Sequence, residues 1–73
     1  MGTKPRLANR LRVARAEKNM SQEELAASVS VTRQTISSIE TGQYCPSTLL
    51  AFILSKQLGK HVEELFYLEG DTP

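Results

Sequence analysis

The fold is decided by the stretch Ser21–Gly42, SQEELAASVSVTRQTISSIETG. Two short helices can be read in it. Ser21 followed three residues later by Glu24 is a capping box, in which hydroxyl and carboxylate each take a free backbone N–H at a helix start. Glu23 and Glu24 also favour the positive helix end. The first helix is expected over about Gln22–Val29, with Leu25, Ala26 and Val29 turned inward. Ser30-Val31 is a tight joint, with Val31 expected to plug it. Thr32 is the next N-cap, Ile36 and Ile39 face the core, and Gly42 ends the helix in a left-handed position. Two helices cross steeply only where the closest residue is small, and Ala26 and Ala27 meet that need.

The outward face of the second helix carries Arg33, Gln34, Ser37 and Ser38, with Thr32 and Thr35 at its start. It holds no carboxylate before Glu40. Arginine forks onto guanine O6 and N7, glutamine pairs with adenine N6 and N7, and short hydroxyls permit close approach. An ordinary polar surface helix is the competing reading of this face taken alone.

Outward from this unit the chain reads as helical throughout. A first helix is expected over Lys4–Lys18, with Pro5 in its first turn and Leu7, Leu11 and Ala14 as its buried stripe. Ser47 caps a fourth helix that runs to Leu58 and closes at Gly59. A fifth covers about Val62–Phe66, and Tyr67–Glu69 is compatible with a short extended segment. The expected fold class is all-α, a compact five-helix domain over residues 4–68, with a frayed tail at 69–73.

The 73 residues suffice for one domain. At this size one core stabilises only marginally, so association with a second copy is a plausible further source of stability. Net charge is only +1, but its distribution is uneven. Residues 1–33 hold seven Lys/Arg against three Glu, for +4, whereas residues 34–73 hold two Lys against five Asp/Glu, for −3. A basic half can meet phosphate while the acidic half faces away.

Other chemistries find no constellation. His61 and Cys45 are solitary, which argues against metal, and no nucleophile–base pair or Gly-rich phosphate loop is present. Glu23/Glu24 and Glu63/Glu64 are neighbours in sequence and read as helix-start charges. No catalytic residue, cofactor or small-molecule ligand is expected. Nothing approaches the roughly 18 apolar residues that cross a membrane. The single cysteine and polar start fit a cytoplasmic protein.

From Asn9 onward the chain resembles the phage-repressor/Cro (Xre-type) helix-turn-helix family. The resemblance rests on NRLRVARAEKNMSQEELA (9–26), VTRQTISSIETGQY (31–44), Pro46-Ser47, and the LG and VEELF that end near Phe66. It implies a five-helix DNA-binding domain, commonly a homodimer on a two-fold related operator, acting as a transcriptional repressor on double-stranded DNA. It implies base reading by Arg33, Gln34 and Ser38, with Ser37 beside them. It also implies backbone contacts by Arg10, Ser21, Gln22, Thr32, Thr35, Gln43 and Tyr44, with Gln22 bracing a base-reading neighbour. Three positions depart from the family pattern: Ser30 stands where glycine is common in the turn, His61 where Ser or Thr often caps, and Leu49 and Ile53 where charges are common.

The last departure gives a further expectation. Leu50, Leu54 and Leu58 suffice for the core face of the fourth helix, so Leu49 and Ile53 form a second apolar stripe. With Phe66, Tyr67 and Leu68 they are expected to form a homodimer interface. A broad intramolecular core contact is the competing reading. An antitoxin-like or anti-repressor module, gripping another protein through that helix, is the alternative function.

Overall fold

The computed structural model describes residues 5–70. Among the described residues there are five helices: α1 (Leu11–Glu17), α2 (Gln22–Ser28), α3 (Arg33–Glu40), α4 (Thr48–Leu58) and α5 (Val62–Leu65). Two short strands, β1 (Arg6–Asn9) and β2 (Phe66–Glu69), pair antiparallel with Arg6 opposite Glu69 and Asn9 opposite Phe66.

The helix starts follow from their caps. Ser21 Oγ accepts from Glu24 N (3.0 Å) while Glu24 Oε1 accepts from Ser21 N (2.8 Å). Thr32 Oγ1 accepts from Thr35 N at 3.2 Å, and Ser47 Oγ accepts from Leu50 N at 3.1 Å. At His61, one of the three departures, Glu64 Oε1 accepts from the His61 N–H at 2.8 Å. Gly59 caps α4 in the left-handed region.

The first helix departs from expectation. Residues 6–9 are strand, and α1 starts only at Leu11. Asn9 sets that start: its Oδ1 accepts from Leu11 N (3.1 Å), and its Nδ2 donates to the Ile39 carbonyl (2.9 Å), tying the strand end to α3. Leu7 therefore leaves the stripe of Leu11 and Ala14, lies opposite Leu68 in the ribbon and is partly exposed. Lys4 and residues 71–73 lie outside the described residues, and Glu69, expected in the tail, belongs to β2.

The core gathers Leu11, Ala14, Leu25, Ala26, Val29, Ile36, Ile39, Leu54, Leu58, Leu65 and Phe66. Ala26 is buried at the α2–α3 crossing, whereas Ala27 is exposed and takes no part. Val31 packs on the core, and its N–H donates to the Ala26 carbonyl at 3.0 Å. No helix among the described residues is long and apolar enough to cross a membrane.

Ser30 has φ of 60°. That backbone strains any residue with a Cβ, by about 1–2 kcal/mol before the greater chain freedom of glycine is subtracted. Ser30→Gly is therefore expected to raise unfolding stability by roughly 0.5–1 kcal/mol, read from urea denaturation midpoints.

Candidate nucleic-acid interface

The exposed side of α3 is built by its two ends. Thr32 fixes the start, and Ile36 and Ile39 anchor the inner face at essentially no exposure. Arg33 and Gln34 are then exposed, while Ser37 and Ser38 are half-buried between them and the scaffold. Gln34 Nε2 donates to Ser38 Oγ at 3.2 Å, one helical turn on, and Thr32 and Thr35 share a hydroxyl contact of 3.0 Å. Arg33, Gln34, Ser37 and Ser38 thus form one continuous polar face with a free guanidinium at its N-terminal end.

Two flanks border this face. On one side, the N–H groups of Gln43 and Tyr44 both donate to the Ser38 carbonyl, at 2.9 and 3.1 Å. Their N–H groups are spent, so the exposed Gln43 amide and Tyr44 phenol are the side-chain donors these two residues offer a ligand. On the other side lies the start of α2, with Ser21 engaged in its cap and Gln22 half-buried.

Glu40 organises the second flank. It lies on the same edge of α3 as Arg33 and Ser37, since residues three, four and seven apart share a helix face. Arg15 Nε donates to Glu40 Oε2 at 2.8 Å, Arg15 Nη2 to Oε1 at 3.3 Å, and Gln22 Nε2 to Oε1 at 3.0 Å. Arg12 Nε stands 3.6 Å from Oε1. Burial pushes the Glu40 carboxyl pKa up, but hydrogen bonds from Arg15 and Gln22 and the charges of Arg15 and Arg12 outweigh it. The result lies below the ordinary value near 4.5. Arg15 also donates through Nη1 to the Met20 carbonyl at 2.8 Å. Three helices meet at this one carboxylate.

The sequence alone marks none of Glu40, Arg12 and Arg15 as site residues. Gln22, expected to brace a base-reading neighbour, donates its amide to Glu40. Arg10 also differs from expectation. Its guanidinium stacks on Tyr67 at 4.3 Å from the ring centroid. It borders a groove with Val13, Glu17, Lys60 and Glu64, on the side of α1 away from Arg12 and Arg15. Residues 10, 13 and 17 share one face, and 12 and 15 turn the other way to reach Glu40. The structure thus separates Arg10 from the other residues expected at the backbone.

The fourth helix has two apolar faces. Leu54 and Leu58 are buried, with Leu50 and Ala51 packed beside them. Leu49, Phe52 and Ile53 are 71, 57 and 38% exposed, and their i, i+3, i+4 spacing puts them on one outward stripe. Leu68 is also exposed, at 68%, and Tyr67 is half-buried. Phe66 corrects the expected interface: at 7% exposure it belongs to the protomer's own core. Phe52, which was not singled out, joins the outward stripe.

A family model described as helix-turn-helix matches residues 11–65. The chain belongs to the Xre-type helix-turn-helix family. This family member is a transcriptional regulator with a DNA-binding fold. It is 45% identical over 65 residues to an uncharacterized HTH-type transcriptional regulator of Methanocaldococcus jannaschii, covering 89% of this chain and 98% of that protein. It is 43% identical over 66 residues to the uncharacterized HTH-type transcriptional regulator YgzD of Bacillus subtilis, covering 90% and 100%. Among solved structures it resembles the restriction-modification controller protein C.AhdI of Aeromonas hydrophila. The TM-score is 0.71 at 33% identity, covering 75% of this chain and 80% of that one. The five-helix expectation is met in this helix-turn-helix protein, with the ribbon as an addition. Both strands fall outside the 11–65 match and pair with each other across the described domain.

Proposed function

We propose that this regulator is a sequence-specific repressor that binds an inverted-repeat operator as a homodimer, each protomer laying α3 in a major groove. The observation that carries the reading is the outward face of α3: a free guanidinium, an amide and two hydroxyls, anchored from behind by Ile36 and Ile39. Arg33 forks onto guanine, Gln34 reads adenine, and Ser37 and Ser38 allow close approach. Ser21, Gln22, Thr32 and Thr35 border one phosphate strand, and the Gln43 and Tyr44 side chains border the other. Phosphate contacts set register, and base contacts set sequence.

The outward stripe of α4, Leu49, Phe52 and Ile53, is the surface that a second copy would cover, with Tyr67 and Leu68 at its margin. Pairing two protomers there presents two reading helices about 34 Å apart, one turn of DNA. Bound at a promoter, such a dimer represses by occluding polymerase. Its place of action is the cytoplasm, with the genome.

Arg33→Ala is expected to cost about 1–3 kcal/mol of operator affinity and to relax preference at one base pair. The test is titration of the variant against the selected operator and its single-base variants. Unchanged affinity and unchanged preference would assign the reading role elsewhere.

A further inference from the structure

The charges around Glu40 do not balance. Two arginines face one carboxylate, so the Arg12–Arg15–Glu40 cluster carries one net positive charge. The described arginines divide sharply by what holds them. Arg6 is paired with Glu69 on the ribbon (3.1 Å), and Arg10 lies on Tyr67 on the far side of α1. Arg15 spends Nε, Nη1 and Nη2 on Glu40 and Met20, with its side chain only 16% exposed. Arg33 stands on the base-reading face. Arg12 is left at the junction with its Nε 3.6 Å from Glu40 Oε1, a side chain that is 69% exposed, and two Nη groups that make no hydrogen bond to any described residue.

From this we infer that Arg12 is a DNA-phosphate site, binding the backbone of the strand that borders the α2 start, beside Gln22. The inference rests on the DNA reading given above and adds a residue and a ligand group to it. Glu40 draws Arg12 Nε to 3.6 Å, and the exposed guanidinium keeps both Nη groups for a forked contact with a phosphodiester. Gln22, turned by its own bond to Glu40, keeps its second amide hydrogen for the same strand. The alternative arginine, Arg10, faces Lys60, Glu17 and Glu64 across its groove, and so meets no surface continuous with α3.

The site is tested by salt titration of binding to a mixed-sequence duplex, because a phosphate contact acts without regard to sequence. Each contact contributes roughly 0.9 to the slope of log affinity against log salt. Arg12→Gln is expected to lower that slope by about one and to weaken binding roughly tenfold at low salt. Arg12→Lys keeps most of the slope, and Arg10→Gln keeps all of it. Unfolding midpoints of the three variants stay with the parent. An unchanged slope for Arg12→Gln, or a reduced slope for Arg10→Gln, would overturn the inference. A lowered unfolding midpoint for Arg12→Gln with its slope intact would also overturn it, by assigning Arg12 to holding Glu40. A parent chain that binds no duplex at any salt overturns the DNA reading itself, and this site with it.

Discussion

Glu40→Ala is expected to cost about 3 kcal/mol of unfolding stability at pH 7, because it leaves the largely buried Arg15 without its counter-charge. The Glu40 side chain has no exposure and accepts from Arg15 and Gln22, while Arg15 is 16% exposed and has no other carboxylate among the described residues. The helices α1, α2 and α3 each lose a tie at once. Domains of this length have roughly 0.05–0.15 kcal/mol of stability per residue, so the loss is a large share of the total. Glu40→Gln preserves the shape and one acceptor and is expected to fall between parent and alanine. Urea denaturation at pH 7 checks this, and a loss below about 1 kcal/mol would place the junction's stability elsewhere.

The same carboxylate sets an acid limit. Its native pKa is lowered, so the folded state holds the proton less well than the unfolded chain. The stability it contributes is whole above the ordinary value near 4.5 and is lost as pH falls through the lower native value. The Glu40→Ala variant is expected to lose that part of the parent's acid dependence.

Replacing Leu49 and Ile53 together by Glu is expected to convert the dimer to a folded monomer. Both side chains project from the outward stripe of α4, away from Leu54 and Leu58, so charge there leaves the protomer's core untouched. In a dimer interface the same charges would be desolvated without partners and would meet their like across the two-fold axis. Light scattering reads the mass and circular dichroism the helix content. Operator affinity should fall steeply, because each half-site is then bound alone. A dimer that persists in the double variant would assign association to another surface. A collapse of helix content would return the stripe to the core.

The helical frame was legible in the sequence because its signals are local. Ser21, Thr32 and Ser47 each cap the helix that follows, and Gly42 and Gly59 take the left-handed positions expected of them. The ribbon was not legible in the same way. β1 is only four residues long and pairs with a strand at the far end of the chain, with Arg6 opposite Glu69. No local pattern records so distant a partner, and Leu7 at i−4 from Leu11 imitated a helical stripe. The charged junction was hidden for a related reason. Arg12, Arg15, Gln22 and Glu40 come from three helices, and only their packing shows that one carboxylate serves them all. The sole trace in the sequence is Glu40 itself, the first carboxylate on an otherwise uncharged stretch of α3 after Arg33. Arg10 was drawn to the backbone by resemblance, but two positions along α1 turn its side chain to the opposite face.

The central claim is that α3 reads DNA in a two-fold arrangement, and selection of binding sites from random duplexes tests it most directly. The expected result is an enriched inverted repeat whose half-site centres lie about 34 Å apart, one helical turn. Recovery of no enriched sequence, or of a single unrepeated half-site bound by one protomer, would contradict it.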